Sequence, residues 1–122
     1  MPWSPDGIGT ETASSEPRRR RRRASARILV VQRELVRRRV IVYGRVQGVW
    51  FRGSLSERAR AHGVGGWVAN RPDGNLEAVL EGPREDVERL IRFCKTGPPR
   101  ADVQRVQVSE EVPEGVSGFS VR

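Results

Sequence analysis

The 122-residue chain has one cysteine, one histidine, one lysine and seven aromatic side chains. Each shortage removes a class of function. A lone Cys94 leaves no disulfide to form, and an unpaired thiol suits a reducing compartment such as the cytoplasm. One His and one Cys do not make a metal cluster, since even catalytic zinc takes about three protein ligands, so no metal or other cofactor is expected. Long apolar runs are missing too. Ile28–Val31 is the longest near the N-terminus, against the roughly 20 residues a spanning helix needs and the about 7–15 of a secretory signal core. Asp6, Glu11 and Glu16 disfavour an organelle transit peptide. The expected location is the cytoplasm, with no membrane partner.

Positive charge, by contrast, is abundant. The net charge is +8, and almost all of it is guanidinium, because Lys95 is the only lysine. Residues 1–36 hold eight arginines and four acids, half of the net charge on under a third of the length. That segment mixes Pro, Ser, Gly and Thr with the run Arg18–Arg23 and shows no apolar periodicity, so it is expected to be a disordered Arg-rich extension. Six adjacent arginines could bind a nucleic acid or an anionic surface, or simply be solvated. Valine codons serve as bacterial starts, so a chain beginning near Val36 is a further expectation, testable by intact mass of the natively expressed protein. The folded domain is expected to occupy residues 37–122.

From Arg38 the texture changes. Val40 and Val42 alternate with Ile41 and Tyr43, apolar on both faces as in an interior strand. Phe51, Leu55 and Ala59 then recur at helical spacing, with Arg52, Ser56 and Arg60 on a neighbouring, wetter face, and Gly63 is placed to end the helix. Val64–Asn70 and Leu76–Gly82 read as strands flanking the turn signal Arg71-Pro72-Asp73-Gly74. The period-two pattern of the third strand predicts one covered and one mostly wet face. Pro83 is expected at the first position of a second helix, with Glu85 and Asp86 against its dipole and Val87, Leu90, Ile91 and Cys94 as its apolar stripe. Gly97-Pro98-Pro99 must stop it. Val103, Val106 and Val108 suggest a fourth strand and Phe119-Ser120-Val121 a short last one. Strand, helix, strand, strand, helix, strand predicts an α+β, ferredoxin-like βαββαβ sandwich, an antiparallel sheet with two helices on one face. This fold hosts enzymes, RNA binders and metal carriers alike.

Chemistry is concentrated in Gly44–Arg52, GRVQGVWFR. Glycines in a loop feeding a helix let successive N–H groups converge on an anion. Arg52 at the helix start can grip phosphoryl oxygens bidentately. An ordinary strand-to-helix turn with a surface arginine would read the same. Asn70 ends a strand, where its carboxamide can donate to and accept from water, although a turn asparagine is the plainer alternative. His62, next to Gly63, reads as a capping or surface residue, and Cys94 as core.

Together these stretches resemble the acylphosphatase family. Its first signature is matched by Gly44-Arg45-Val46-Gln47-Gly48-Val49-Trp50-Phe51-Arg52, and its second by Gly66-Trp67-Val68-Ala69-Asn70 followed by Asp73-Gly74-Asn75-Leu76-Glu77. Leu80-Glu81-Gly82, Gly97-Pro98-Pro99 and Gly118-Phe119 extend the similarity over Arg37–Arg122. Asn75 and Leu76 stand where Thr or Arg, and Val, are frequent, and the N-terminal extension has no counterpart.

The resemblance implies a metal-independent hydrolase of acyl phosphates, with a small-molecule substrate and no cofactor. In it Arg52 binds phosphate, Asn70 positions the attacking water, and the loop amides of Arg45, Val46, Gln47, Gly48 and Val49 cradle the phosphoryl oxygens. A monomer with no specific nucleic-acid partner is expected. An RNA reader of this topology would carry K/R-G-F/Y-G/A-F-V-x-F/Y aromatics on its strands. Here the first strand offers only Tyr43 and the third none. A domain that binds phosphate without turning it over is the remaining alternative; it has less need of a water-positioning Asn70.

Overall fold

The computed structural model describes residues 34–122. The readings of residues 1–33, their disorder and the arginine run among them, lie outside the described residues. Seven elements follow one another: β1 (Leu35–Arg45), α1 (Phe51–Ala61), β2 (Gly65–Asn70), β3 (Leu76–Pro83), α2 (Arg84–Thr96), β4 (Asp102–Glu111) and β5 (Phe119–Val121). The strands form one sheet in the order β4-β1-β3-β2-β5. The first four pair antiparallel; β5 lies parallel to β2, with Gly66 opposite Phe119 and Val68 opposite Val121, so the sheet is mixed rather than wholly antiparallel. This is the ferredoxin-like α+β fold expected from the element order, with one short strand added.

Both helices cover one face. Val40 and Val42 of β1, Leu76, Ala78 and Leu80 of β3 and Val68 of β2 present buried side chains to Phe51, Leu55 and Ala59 of α1 and to Val87, Leu90 and Cys94 of α2. The Phe51 and Phe93 rings join the two helices, their centroids 5.8 Å apart and tilted by 59°. Gly63 follows α1 in the left-handed region at φ +67°. Helix α2 begins one residue later than expected: Pro83 closes β3 and caps the helix at ψ 139°, with Glu85 and Asp86 in the first turn.

The arginine triplet corrects the sequence reading. β1 opens at Leu35, ahead of the Arg38 start expected from hydropathy, and takes Arg37, Arg38 and Arg39 into its interior. Strand register explains how. Arg37 lies opposite Glu81 and Glu111, and Arg39 opposite Val79 and Ser109. On the sheet face away from the helices Arg37 bonds Glu81 at 3.0 Å and Glu111 at 2.9 Å, while Arg39 bonds Glu111 at 2.7 Å and also pairs with Glu77. Arg38 points to the helix side and reaches Glu110 at 3.2 Å. Cross-strand carboxylates thus neutralise charges that a single-strand pattern counts as disqualifying.

The outer face is also drier than the alternation of β3 implies. Val79 and Glu81 are buried. Trp67 stands beside Val79 in register and carries Arg122 over its ring at 4.3 Å. The segment entering β5 folds over Glu81, whose carboxylate accepts N–H bonds from Glu114, Gly115 and Val116. Burial pushes the Glu81 carboxyl up, but those donors and Arg37 outweigh it and hold it below its ordinary range.

Candidate active site

Beyond β1 the chain turns through residues 46–50 into α1. Gly48 (φ +74°) and Trp50 (φ +69°), on either side of Val49, both adopt left-handed conformations. Such backbone swings successive N–H groups toward a common side, and glycine at 48 adopts it without steric penalty. Among the described residues, the main-chain N–H groups of Val46, Gln47, Gly48 and Val49 have no protein acceptor. They adjoin the N-terminus of α1, whose dipole also favours an anion.

Side chains brace this loop from outside. Gln47 Nε2 donates to the carbonyls of Arg71 (2.8 Å) and Asn75 (2.9 Å), fastening it to the β2–β3 turn. Asn75 Oδ1 accepts from Gly44 N at 3.4 Å. The turn is itself closed by Arg71 N–H to Asn75 O at 2.8 Å and by Asp73, whose Oδ1 accepts from Asn75 N at 3.0 Å. That N–H, with Arg71 adding to it, lowers the Asp73 carboxyl pKa against the opposing effect of desolvation.

A cavity of about 520 Å³ opens where the loop, α1, β2 and β5 meet. Its lining includes Val46 and Gly48 from the loop, Arg52, Ser56 and Arg60 from α1, and Asn70 from the end of β2. Arg52 Nη1 donates to a main-chain oxygen of Arg122 at 2.7 Å, and Arg60 Nη2 to the main-chain carbonyl of Phe119 at 3.2 Å. Both guanidinium groups are thus tied to the last strand. Asn70 lies opposite Leu76, on the helix-covered face. Its Oδ1 is buried with no hydrogen-bond partner among the described residues. Rotating the amide end for end exchanges donor and acceptor, so Asn70 can offer either to a molecule in the cavity.

Of the residues singled out from sequence, Arg52, Asn70, Val46 and Gly48 share this cavity. The other three stand beside it. Arg45 is exposed at the end of β1 opposite Asp102, Val49 is buried in the core, and the Gln47 side chain faces the hairpin turn. Ser56 departs from the wetter face assigned to it: it is 2% exposed, and its Oγ has no partner among the described residues. The bracing by Gln47 and Asn75 was not foreseen, because an amide reaching across a turn leaves no periodicity in sequence.

The remaining reactive side chains lie elsewhere. His62 follows α1, 3.9 Å from Asp86, and burial pushes the Cys94 thiol up to about 12. Among the described residues there is no group of three or more His, Cys, Asp or Glu placed to hold a metal, and no helix long and apolar enough to cross a membrane.

Fold and site together define a ferredoxin-like domain with a loop of unpaired N–H groups, a tethered arginine and a buried carboxamide around one cavity. Comparison with known proteins narrows that class. The acylphosphatase family model matches residues 38–121. The acylphosphatase of Haloarcula marismortui is 55% identical over 86 residues, 70% of this chain and 94% of that one; its Thermococcus kodakarensis counterpart is 57% identical over the same coverage. The solved acylphosphatase of Coxiella burnetii superposes with a TM-score of 0.69 at 39% identity, covering 72% of this chain and 93% of that chain. The chain belongs to the acylphosphatase family.

Proposed function

We propose that this acylphosphatase-family hydrolase cleaves acyl phosphates to a carboxylate and inorganic phosphate without a metal, using Arg52, Asn70 and the amides of residues 45–49. The observation that carries this reading is the single cavity shared by the loop, Arg52 and Asn70. The phosphoryl group sits against the unpaired loop N–H groups and the Arg52 guanidinium, which the Arg122 main-chain oxygen holds at the helix start. Asn70, which lines the same cavity, directs a water at phosphorus. As the new P–O bond forms, the bond to the acyl oxygen breaks and the carboxylate departs with the electron pair.

So sparse a site suffices because of that leaving group. The conjugate acid of a carboxylate has a pKa of about 4, so it leaves unprotonated and needs no general acid. What remains is alignment and stabilisation of charge on the transferring phosphoryl, which fixed dipoles and a guanidinium supply. A single buried, unpaired thiol supports a cytoplasmic location.

The test is hydrolysis of benzoyl phosphate, followed by ultraviolet absorbance with EDTA present. Wild type is expected to turn over rapidly, and Arg52→Ala and Asn70→Ala to lose about 10²–10³-fold or more while staying folded. A folded, inactive wild type that still binds inorganic phosphate through Arg52 would replace this reading with that of a phosphate-binding domain.

A further inference from the structure

Trp50 is 66% exposed, although it stands between the buried Val49 and Phe51. Its backbone is left-handed, an unfavourable conformation for a residue with a large side chain, and its ring lies against the helix it precedes. Space for that ring comes from Gly53. A Cβ there would sit 2.6 Å from the indole Cη2 and Cζ2 atoms, closer than atoms can approach. Glycine inside a helix is a poor choice for stability. Two local costs, at 50 and at 53, therefore combine to seat an aromatic face outside the core, and both residues line the cavity beside Arg52. An exposed indole next to a polar grip is a surface awaiting a flat apolar group.

We propose that Trp50, seated on Gly53, forms the acyl-group wall of the cavity and makes aromatic and extended apolar acyl phosphates the preferred substrate class over short aliphatic ones. This rests on the acyl phosphate reading above. The phosphoryl end is fixed by Arg52 and the loop, so the acyl group projects from it across the indole. Val46 and Val121 add apolar lining.

The experiment compares kcat/KM for benzoyl phosphate and acetyl phosphate in wild type, Trp50→Ala, Trp50→Phe and Gly53→Ala, each checked for folding by circular dichroism. The benzoyl-to-acetyl ratio should fall about tenfold in Trp50→Ala, chiefly through a higher KM for benzoyl phosphate. Phe should restore part of it. Gly53→Ala, which displaces the ring without deleting it, should move the ratio in the same direction. Inhibition by inorganic phosphate reports on the phosphoryl end and should change less than twofold. A ratio unchanged within twofold, equal loss on both substrates, or a phosphate inhibition constant that rises as much as the benzoyl KM would each overturn the proposal. Failure of wild type to hydrolyse either substrate would instead overturn the acyl phosphate reading itself.

Discussion

Removing the Glu81 carboxylate should loosen the route by which the last strand reaches the cavity. Glu81 is 7% exposed at its side chain and gathers Arg37 Nη1 at 3.0 Å with the N–H groups of Glu114, Gly115 and Val116 at 3.1, 2.6 and 3.0 Å. Breaking a fully buried ion pair costs about 3–5 kcal/mol. Two features reduce that figure here. Arg37 keeps Glu111 at 2.9 Å, and the three orphaned N–H groups belong to exposed residues that water can reach. Glu81→Ala should therefore destabilise by about 2–3 kcal/mol, near the worth of one or two hydrogen bonds to a charged group. For a domain of this size that lowers Tm by roughly 10–20 °C.

Glu81→Gln keeps the shape and one carbonyl acceptor, and should lose less. Its deficit carries a pH signature. Because the folded-state pKa of Glu81 is depressed, its contribution is complete above the ordinary glutamate value of about 4.3 and is lost as pH falls through the lower folded value. Urea unfolding followed by far-ultraviolet circular dichroism should show a wild-type advantage that is constant from neutrality to about pH 5 and shrinks below pH 4. A deficit for Glu81→Ala under about 1 kcal/mol, or a Gln deficit as large at pH 3 as at pH 7, would refute this account of the segment.

Two further perturbations separate bracing from packing. Gln47→Ala removes both bonds to the β2–β3 turn, so kcat/KM for benzoyl phosphate should fall about tenfold while urea melts show a loss of only about 1–2 kcal/mol; unchanged kinetics would mean that the loop holds its shape unaided. Gly66→Ala places a Cβ 1.8 Å from the Val79 carbonyl at a residue with φ +130°, and should leave little folded protein by circular dichroism, whereas Gly74→Ala, with open space at φ +91°, should cost about 1 kcal/mol.

What could be read in the sequence was whatever repeats or punctuates. Leu76, Ala78 and Leu80 announced β3, Val87, Leu90, Ile91 and Cys94 announced α2, and Phe119-Ser120-Val121 is a strand where expected. What escaped depends on partners far along the chain. Leu35–Arg37 read as lying ahead of β1 because Glu81 and Glu111 are brought beside Arg37 only by strand pairing. Ser56 read as wet because its burial comes from packing that the helix period alone does not reveal. The parallel pairing of β5 with β2 left no signal in its three residues. At the site, motif similarity named Arg52 and Asn70, and geometry added what sequence does not encode locally: the Arg122 main-chain oxygen on Arg52 and the Gln47 amide on the turn.

Those additions bear on how so few groups could act. A reaction with no general acid depends on the spacing between a phosphate grip and a water-directing amide. Here the proposed grip, Arg52, and the proposed water-directing amide, Asn70, come from different segments, and each is held by a third. The loop is tied through Gln47 and Asn75 to the turn that follows Asn70, so the amide cradle and the end of β2 share one brace. Arg52 is tied to β5, which pairs with β2 at Gly66–Val68, within the strand that ends at Asn70. Both routes therefore return to β2. A displacement of the loop or of β5 relative to β2 changes the separation of Arg52 and Asn70, so residues outside the cavity share in fixing its geometry. If Arg52 and Asn70 act as proposed, the mixed sheet has a part in it: pairing β5 parallel to β2 sets the Arg122 main-chain oxygen beside Arg52.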